Sequence, residues 1–253
     1  MGTSPRRIFL SLASSATIAL SANFFGVTSN LLALLPEEFT ETSRLDSVYP
    51  RGDYKRVFVR ATGSMNGFGF TSNRSDSSRC SFLIPKEWVA DTGLALAQAQ
   101  RQARALDYSM SWPSSERRQQ ANVLPDAAYG PPGSGGDTNV SVIINTDVRD
   151  FRLSSLGNGD PTSAAKFLLS NRPTPAALVS ATEERRTGDP VLRFEYTVDR
   201  GERARPLRAI SVVAGTREGD AFVTLTVVST EEDWKRPLVG EGLRRVVESF
   251  KLV

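Results

Sequence analysis

VLRFEYTVD (Val191–Asp199) alternates without a break: Leu192, Phe194, Tyr196 and Val198 fall on one side of an extended chain, and Arg193, Glu195, Thr197 and Asp199 on the other. A period of two marks a half-buried antiparallel strand. Working outward, Arg200-Gly201 and Glu218-Gly219-Asp220 are turn signals that bound two apolar, β-branched runs, Leu207–Thr216 and Phe222–Ser229. Ala177–Glu183 supplies a strand on the other side. The spacing predicts a meander of adjacent strands over residues 177–229.

Further upstream, NVSVIIN (Asn139–Asn145) is strand-like, and Gly157-Asn158-Gly159 is a turn. Asp160-Pro161 then gives an N-cap and a proline at the first helical position, predicting a helix over Thr162–Ser170 that turns Ala165, Leu168 and Leu169 inward. Downstream, Thr230 and Asp233 have capping-box spacing. Val239, Leu243, Val246, Val247 and Phe250 recur at three and four, predicting one terminal helix laid flat on the sheet. The fold class is therefore α+β, a twisted antiparallel sheet flanked by helices.

Composition narrows the chemistry. The chain has 253 residues, no histidine and one cysteine, Cys80. Without histidine, Ser-His-Asp and Cys-His catalysis and His-ligated transition metals are excluded within it. One cysteine allows no intrachain disulfide, and a half-buried structural thiol is the expected role of Cys80. Basic residues number 31 against 28 acidic. Two of the basic ones, Arg6 and Arg7, sit in the leader described next, and removing them leaves 29 against 28. So balanced a body lacks the field that backbone-driven nucleic-acid binding needs, and no nucleic-acid partner is expected.

Residues 1–36 read as an address. Arg6-Arg7 followed by Ile8-Phe9-Leu10, an apolar run to Leu20 and the small-x-small pair Ala19 and Ser21 resemble a twin-arginine export signal. No later stretch approaches 18 continuous apolar residues. Residues 37–66 are polar with scattered aromatics and read as an extended N-terminal arm. Ser81–Ile84 reads as a strand stopped by Pro85, ahead of Trp88. Residues 90–137 look like an insertion into a domain spanning 67–253, with a solvent-facing helix over Leu94–Leu106.

Phe82-Leu-Ile-Pro-Lys-Glu-Trp88, Thr138–Val142, Gly157–Leu169, Leu192–Tyr196, Phe222–Thr226, Trp234 and Val246–Phe250 together resemble the PsbP family in order, spacing and fit to the C-terminus. The resemblance covers roughly 81–89 and 137–253. It implies a PsbP/Mog1-like α/β/α sandwich and a non-catalytic extrinsic protein of the chloroplast thylakoid lumen, peripheral to the membrane. The partner it implies is photosystem II or another thylakoid membrane complex, and the role is calcium and chloride retention at the water-oxidising centre or photosystem assembly. Calcium is the one cofactor it brings into view. The missing histidines and the long insertion set the chain with divergent members.

Two basic groups are the candidate partner-binding residues. Arg200, Arg203, Arg205 and Arg208 surround one hairpin, opposed nearby only by Glu202; Lys235, Arg236, Arg244 and Arg245 lie off the apolar stripe of the terminal helix. Both suit charge-steered docking. Asp147, Asp150 and Asp160 are the carboxylates available for a hard cation, with no EF-hand spacing. The competing reading is an exported hydrolase working with carboxylates alone, recognisable by two facing acids of raised pKa in a deep pocket. A cytosolic regulatory binder of similar fold is the third.

Overall fold

A computed structural model of the chain describes residues 46, 50–61, 79–94, 96, 124–133, 136–146, 148, 152–170, 175–201, 204–217 and 219–253. The leader, most of the arm and of the 90–137 stretch, Asp147, Asp150, Glu202 and Arg203 lie outside the described residues. The chain divides into two compact units, Met1–Val57 with Leu83–Lys86, and Phe58–Phe82 with Glu87–Val253.

Within the first unit, the stretch read as an extended arm carries the start of a strand, β1 (Tyr54–Val59). Arg51 N donates to Tyr54 O at 2.7 Å, and Lys86 N to Asp53 O at 2.9 Å. Arg56 Nε meets Asp46 Oδ2 at 2.7 Å with both side chains buried.

The second unit is built on a seven-stranded, wholly antiparallel sheet in the order β3-β4-β5-β9-β8-β7-β6. Its strands are β3 (Val89–Ala90), β4 (Ala127–Gly130), β5 (Asn139–Asn145), β6 (Ala176–Arg186), β7 (Asp189–Val198), β8 (Leu207–Gly215) and β9 (Phe222–Thr230). The 177–229 meander forms as the alternation demands, and β5 pairs with β9 over its full seven residues. The last strand, β10 (Lys251–Leu252), pairs with the Cys80–Ser81 end of β2 (Cys80–Pro85).

One face of the sheet is closed by α1 (Pro161–Ser170), whose Ala164, Ala165 and Leu169 pack on Leu192, Phe194, Tyr196, Ala209 and Val213. Asp160 caps α1 by accepting from Ser163 N at 2.8 Å. The alternate residues of β8, Ile210 and Val212, point to the other face. There α2 (Glu231–Lys235) and α3 (Pro237–Glu248) lie against β8 and β9 and bury Trp234, Leu243, Val246 and Val247. Helix, sheet and helix make three layers. Among the described residues no helix is long and apolar enough to cross a membrane.

Three local expectations are corrected. The terminal helix is two helices: Arg236, before Pro237, takes an extended ψ of 122° and breaks the chain there. Val239 is therefore 40% exposed rather than buried, and Phe250, though buried, follows the helix. Strand β6 runs on to Arg186 and turns tightly through Thr187 and Gly188, both at positive φ. Its polar end stays in the sheet because Glu184 bridges Arg186 at 3.0 Å and Arg193 of β7 at 3.3 Å.

The turn before α1 tests the packing. Gly157 has φ +60°, and a β-carbon there would run into the backbone of Ala164. Gly159 has φ +81° with open space around it. Gly157→Ala is expected to cost about 2–4 kcal/mol and Gly159→Ala about 1–2 kcal/mol in denaturant unfolding, the difference being the collision with α1. Equal losses would place the whole cost in backbone conformation.

Candidate functional site

Arg200, Arg205 and Arg208 share one end of the large sheet with Lys235 and Arg236 of the second basic group. Arg200 Nη1 reaches Asp137 Oδ1 at 2.8 Å, while its Nε and Nη2 donate to the Arg205 carbonyl at 3.1 and 2.9 Å. Arg205 Nη1 lies 3.2 Å from Glu232 Oε2 on α2. Arg208 bonds through Nε to Glu195 on the neighbouring strand. On α2, Lys235 pairs with Glu231 at 3.0 Å, and Arg236 with Asp233 at 3.2 Å. Arg244 and Arg245 continue along α3, both exposed.

The charge counted along the hairpin is thus met in space by acids from β7, α2 and the segment just before β5. Counting neighbours in sequence missed them because antiparallel pairing sets Arg208 opposite Thr197, two residues from Glu195, and brings the end of β9 beside the start of β8. The outermost pair is exchangeable. Arg205 and Glu232 are 70% and 67% exposed, and such bridges contribute roughly 0–1 kcal/mol.

What holds this end rigid is less visible in the sequence. Trp234, buried, donates from Nε1 to the Arg208 carbonyl at 2.9 Å. Thr138, Ser229 and Asp233 share a knot of bonds: Oγ1 to Oγ at 2.8 Å, Ser229 Oγ to Asp233 Oδ2 at 3.1 Å, and Thr138 Oγ1 to the same oxygen at 3.3 Å. Thr230 Oγ1 accepts from Asp233 N at 3.3 Å and caps α2. Gly240 presses on the Trp234 carbonyl so closely that a β-carbon would collide with it.

The described residues do not fit a calcium site. Of the three candidate aspartates only Asp160 is described, and its hydrogen bond to Ser163 holds its carboxyl below the usual range as a helix cap. Calcium takes six to eight oxygens. No group of three or more acidic or thiol side chains is gathered for a metal among the described residues.

Acid chemistry finds no foothold there either. A groove of about 650 Å³ runs along β3, β4 and β5 past Pro131, Pro132 and Ser141. Among the described residues lining it the one acid, Asp91, accepts from Gly93 N and Leu94 N at 2.8 and 3.2 Å. Burial pushes the Glu184 carboxyl up, but Arg186 and Arg193 outweigh it and hold it low. The Thr216 hydroxyl and Arg79 lower Asp220, and Lys86 lowers Asp53. These four carboxyls, Asp53, Asp160, Glu184 and Asp220, are all displaced downward. Cys80 is fully buried rather than half-buried, and burial, with Asp126 nearby, pushes its thiol up to about 12. Trp88 and Trp234 are both core residues.

Lowered carboxyls contribute stability that is present above their ordinary pKa near 4 and lost as pH falls through the folded value. With no histidine to titrate, the thermal midpoint is expected to stay level between about pH 5 and 8 and to fall below about pH 4. Asp220→Asn should shrink the acid drop; an unchanged drop would assign it to other carboxyls. Iodoacetamide at mildly alkaline pH should leave Cys80 unmodified in the folded protein and alkylate it in denaturant, read by intact mass; rapid native labelling would contradict an inert thiol.

The PsbP family model matches residues 69–252. PsbP domain-containing protein 7, chloroplastic, of Arabidopsis thaliana is 33% identical over 152 residues, which cover 60% of this chain and 48% of that protein. The chain thus spans about half the length of this curated relative. Among solved structures, cyanobacterial PsbP (CyanoP) from Synechocystis aligns over 76% of this chain and 99% of its own, at 20% identity and a TM-score of 0.46. The Ran-binding protein Mog1p of Saccharomyces cerevisiae aligns over 69% and 90%, at 11% identity and a TM-score of 0.36. With a family match that takes in every strand from β2 to β10, the chain belongs to the PsbP family.

Proposed function

We propose that this chain is a non-catalytic, PsbP-like chloroplast protein that serves photosynthesis by docking on a thylakoid membrane complex from the lumenal side. Family membership and the chloroplastic relative support the setting. The observation that carries the docking reading is the ion-paired end of the sheet. Arg200, Arg205, Lys235 and Arg236 converge there, and a partner's charges can replace the exposed acids Glu231 and Glu232 at little cost. Arg203 belongs to the same rim by sequence, and Arg208, Arg244 and Arg245 extend it. Photosystem II and other photosynthetic complexes are the partner class. Asp160 is held as a helix cap, which favours assembly or stabilisation of a complex over ion retention. A hydrolase using carboxylates alone would need raised acids, and the displaced ones here are lowered.

Fractionated thylakoids resolved on native gels test the reading: the protein should co-migrate with a photosynthetic complex and be released by a high-salt wash. Arg203→Glu with Arg205→Glu should weaken that association roughly tenfold at low salt, with the gap closing as salt rises. A protein that remains free of every thylakoid complex at low salt, or a double variant that binds as well as the parent, would refute it.

A further inference from the structure

Leu238 opens α3 with its side chain 86% exposed, next to Val239 at 40% and the exposed Pro237. An isolated exposed leucine needs no explanation. This one differs in being displayed by a rigid corner. The hydrogen bond from Trp234 to β8, the contact of Gly240 with the Trp234 carbonyl, and the 2.8 Å bond from Gly240 N to Arg236 O fix the first turn of α3. The extended Arg236 and the proline after it aim that turn outward instead of letting it continue α2 over the sheet. A backbone held so firmly leaves little beyond the side-chain rotamers to be ordered on binding.

We propose that Leu238 and Val239 form an apolar knob that seats in a socket on a protein subunit of the docking partner. This rests on the docking reading above and names the contact that gives it specificity. The surrounding charge decides between a protein and a lipid surface. Residues 231–248 carry four basic and five acidic side chains, and Arg205, bonded to Glu232, brings the count level. A level count has no net attraction for an anionic bilayer, and one leucine with part of a valine is too little apolar area to hold a membrane unaided. An apolar point among charges of both signs along the same segment suits a protein–protein contact, where a polar rim excludes water from the anchor.

The test compares the full-length protein with Leu238→Asp for binding to salt-washed thylakoid membranes and to protein-free phosphatidylglycerol vesicles, with unfolding midpoints measured alongside. The expected result is thylakoid binding weakened at least tenfold by Leu238→Asp, an unchanged midpoint because the side chain is exposed, and no vesicle binding by either protein. Leu238→Met should keep most of the affinity. Equal thylakoid binding by parent and Leu238→Asp would overturn the knob while leaving the docking reading intact. Vesicle binding that depends on Leu238 would overturn the protein socket in favour of lipid. Failure of the parent to bind the membranes at all would bring down the docking reading and the knob with it.

Discussion

Strand β8 has almost no side that water can reach. From Leu207 to Gly215 seven of nine residues are buried, and they point alternately to both faces. A central strand of that kind forces a layer of apolar cover on each side, because leaving either face open would strand Ala209 and Val213, or Ile210 and Val212, in solvent. The one polar residue in its middle, Ser211, is satisfied within the sheet by Thr226 at 2.8 Å and Tyr196 at 3.4 Å. Helix α1 on one face and the α2–α3 pair on the other follow from this constraint. So does the position of the Arg200–Arg208 turn, which must emerge where β7 hands over to β8.

That position changes what the arginines are. Along the chain they look like a block of positive charge; in the fold each described member sits against a carboxylate delivered by another element. Such a surface does not attract partners through a long-range field. On the docking proposal, a partner would be selected at contact, where one set of exposed pairs is traded for another and the gain depends on geometry. This fits a body whose basic and acidic residues nearly cancel, and it moves the burden of specificity from net charge to shape.

The fold was largely legible because its evidence is local. The alternation in Val191–Asp199, the β-branched run of Asn139–Asn145 and the Asp160-Pro161 start of α1 each state their conformation within a few residues. The misread elements were decided by non-local or pairwise effects. The end of β6 looks too polar for a strand until Arg193 arrives from β7 to hold Glu184. The terminal apolar stripe reads as continuous because a period of 3.6 is blind to the one extended residue that Pro237 imposes on Arg236. The surface was less legible still. The basic residues could be named, but Asp137, Glu195 and Glu232 are distant in sequence, and the packing of Gly240 on Trp234 leaves no mark beyond a glycine in a helix, where glycine is ordinarily a cost.

That glycine joins the interior to the surface. Trp234 is anchored to a carbonyl of β8, so its own carbonyl is placed by the sheet; Gly240 must fit against that carbonyl, so the first turn of α3 is placed by Trp234. The register of the central strands thereby sets where Leu238 stands relative to Arg205 and Glu232. The chain has no histidine, and among its described residues the thiol is buried and the displaced carboxyls are held low. What it can offer is a fixed spacing between an apolar point and a set of exchangeable charges, and a sheet buried on both faces keeps such a spacing more faithfully than a loop would.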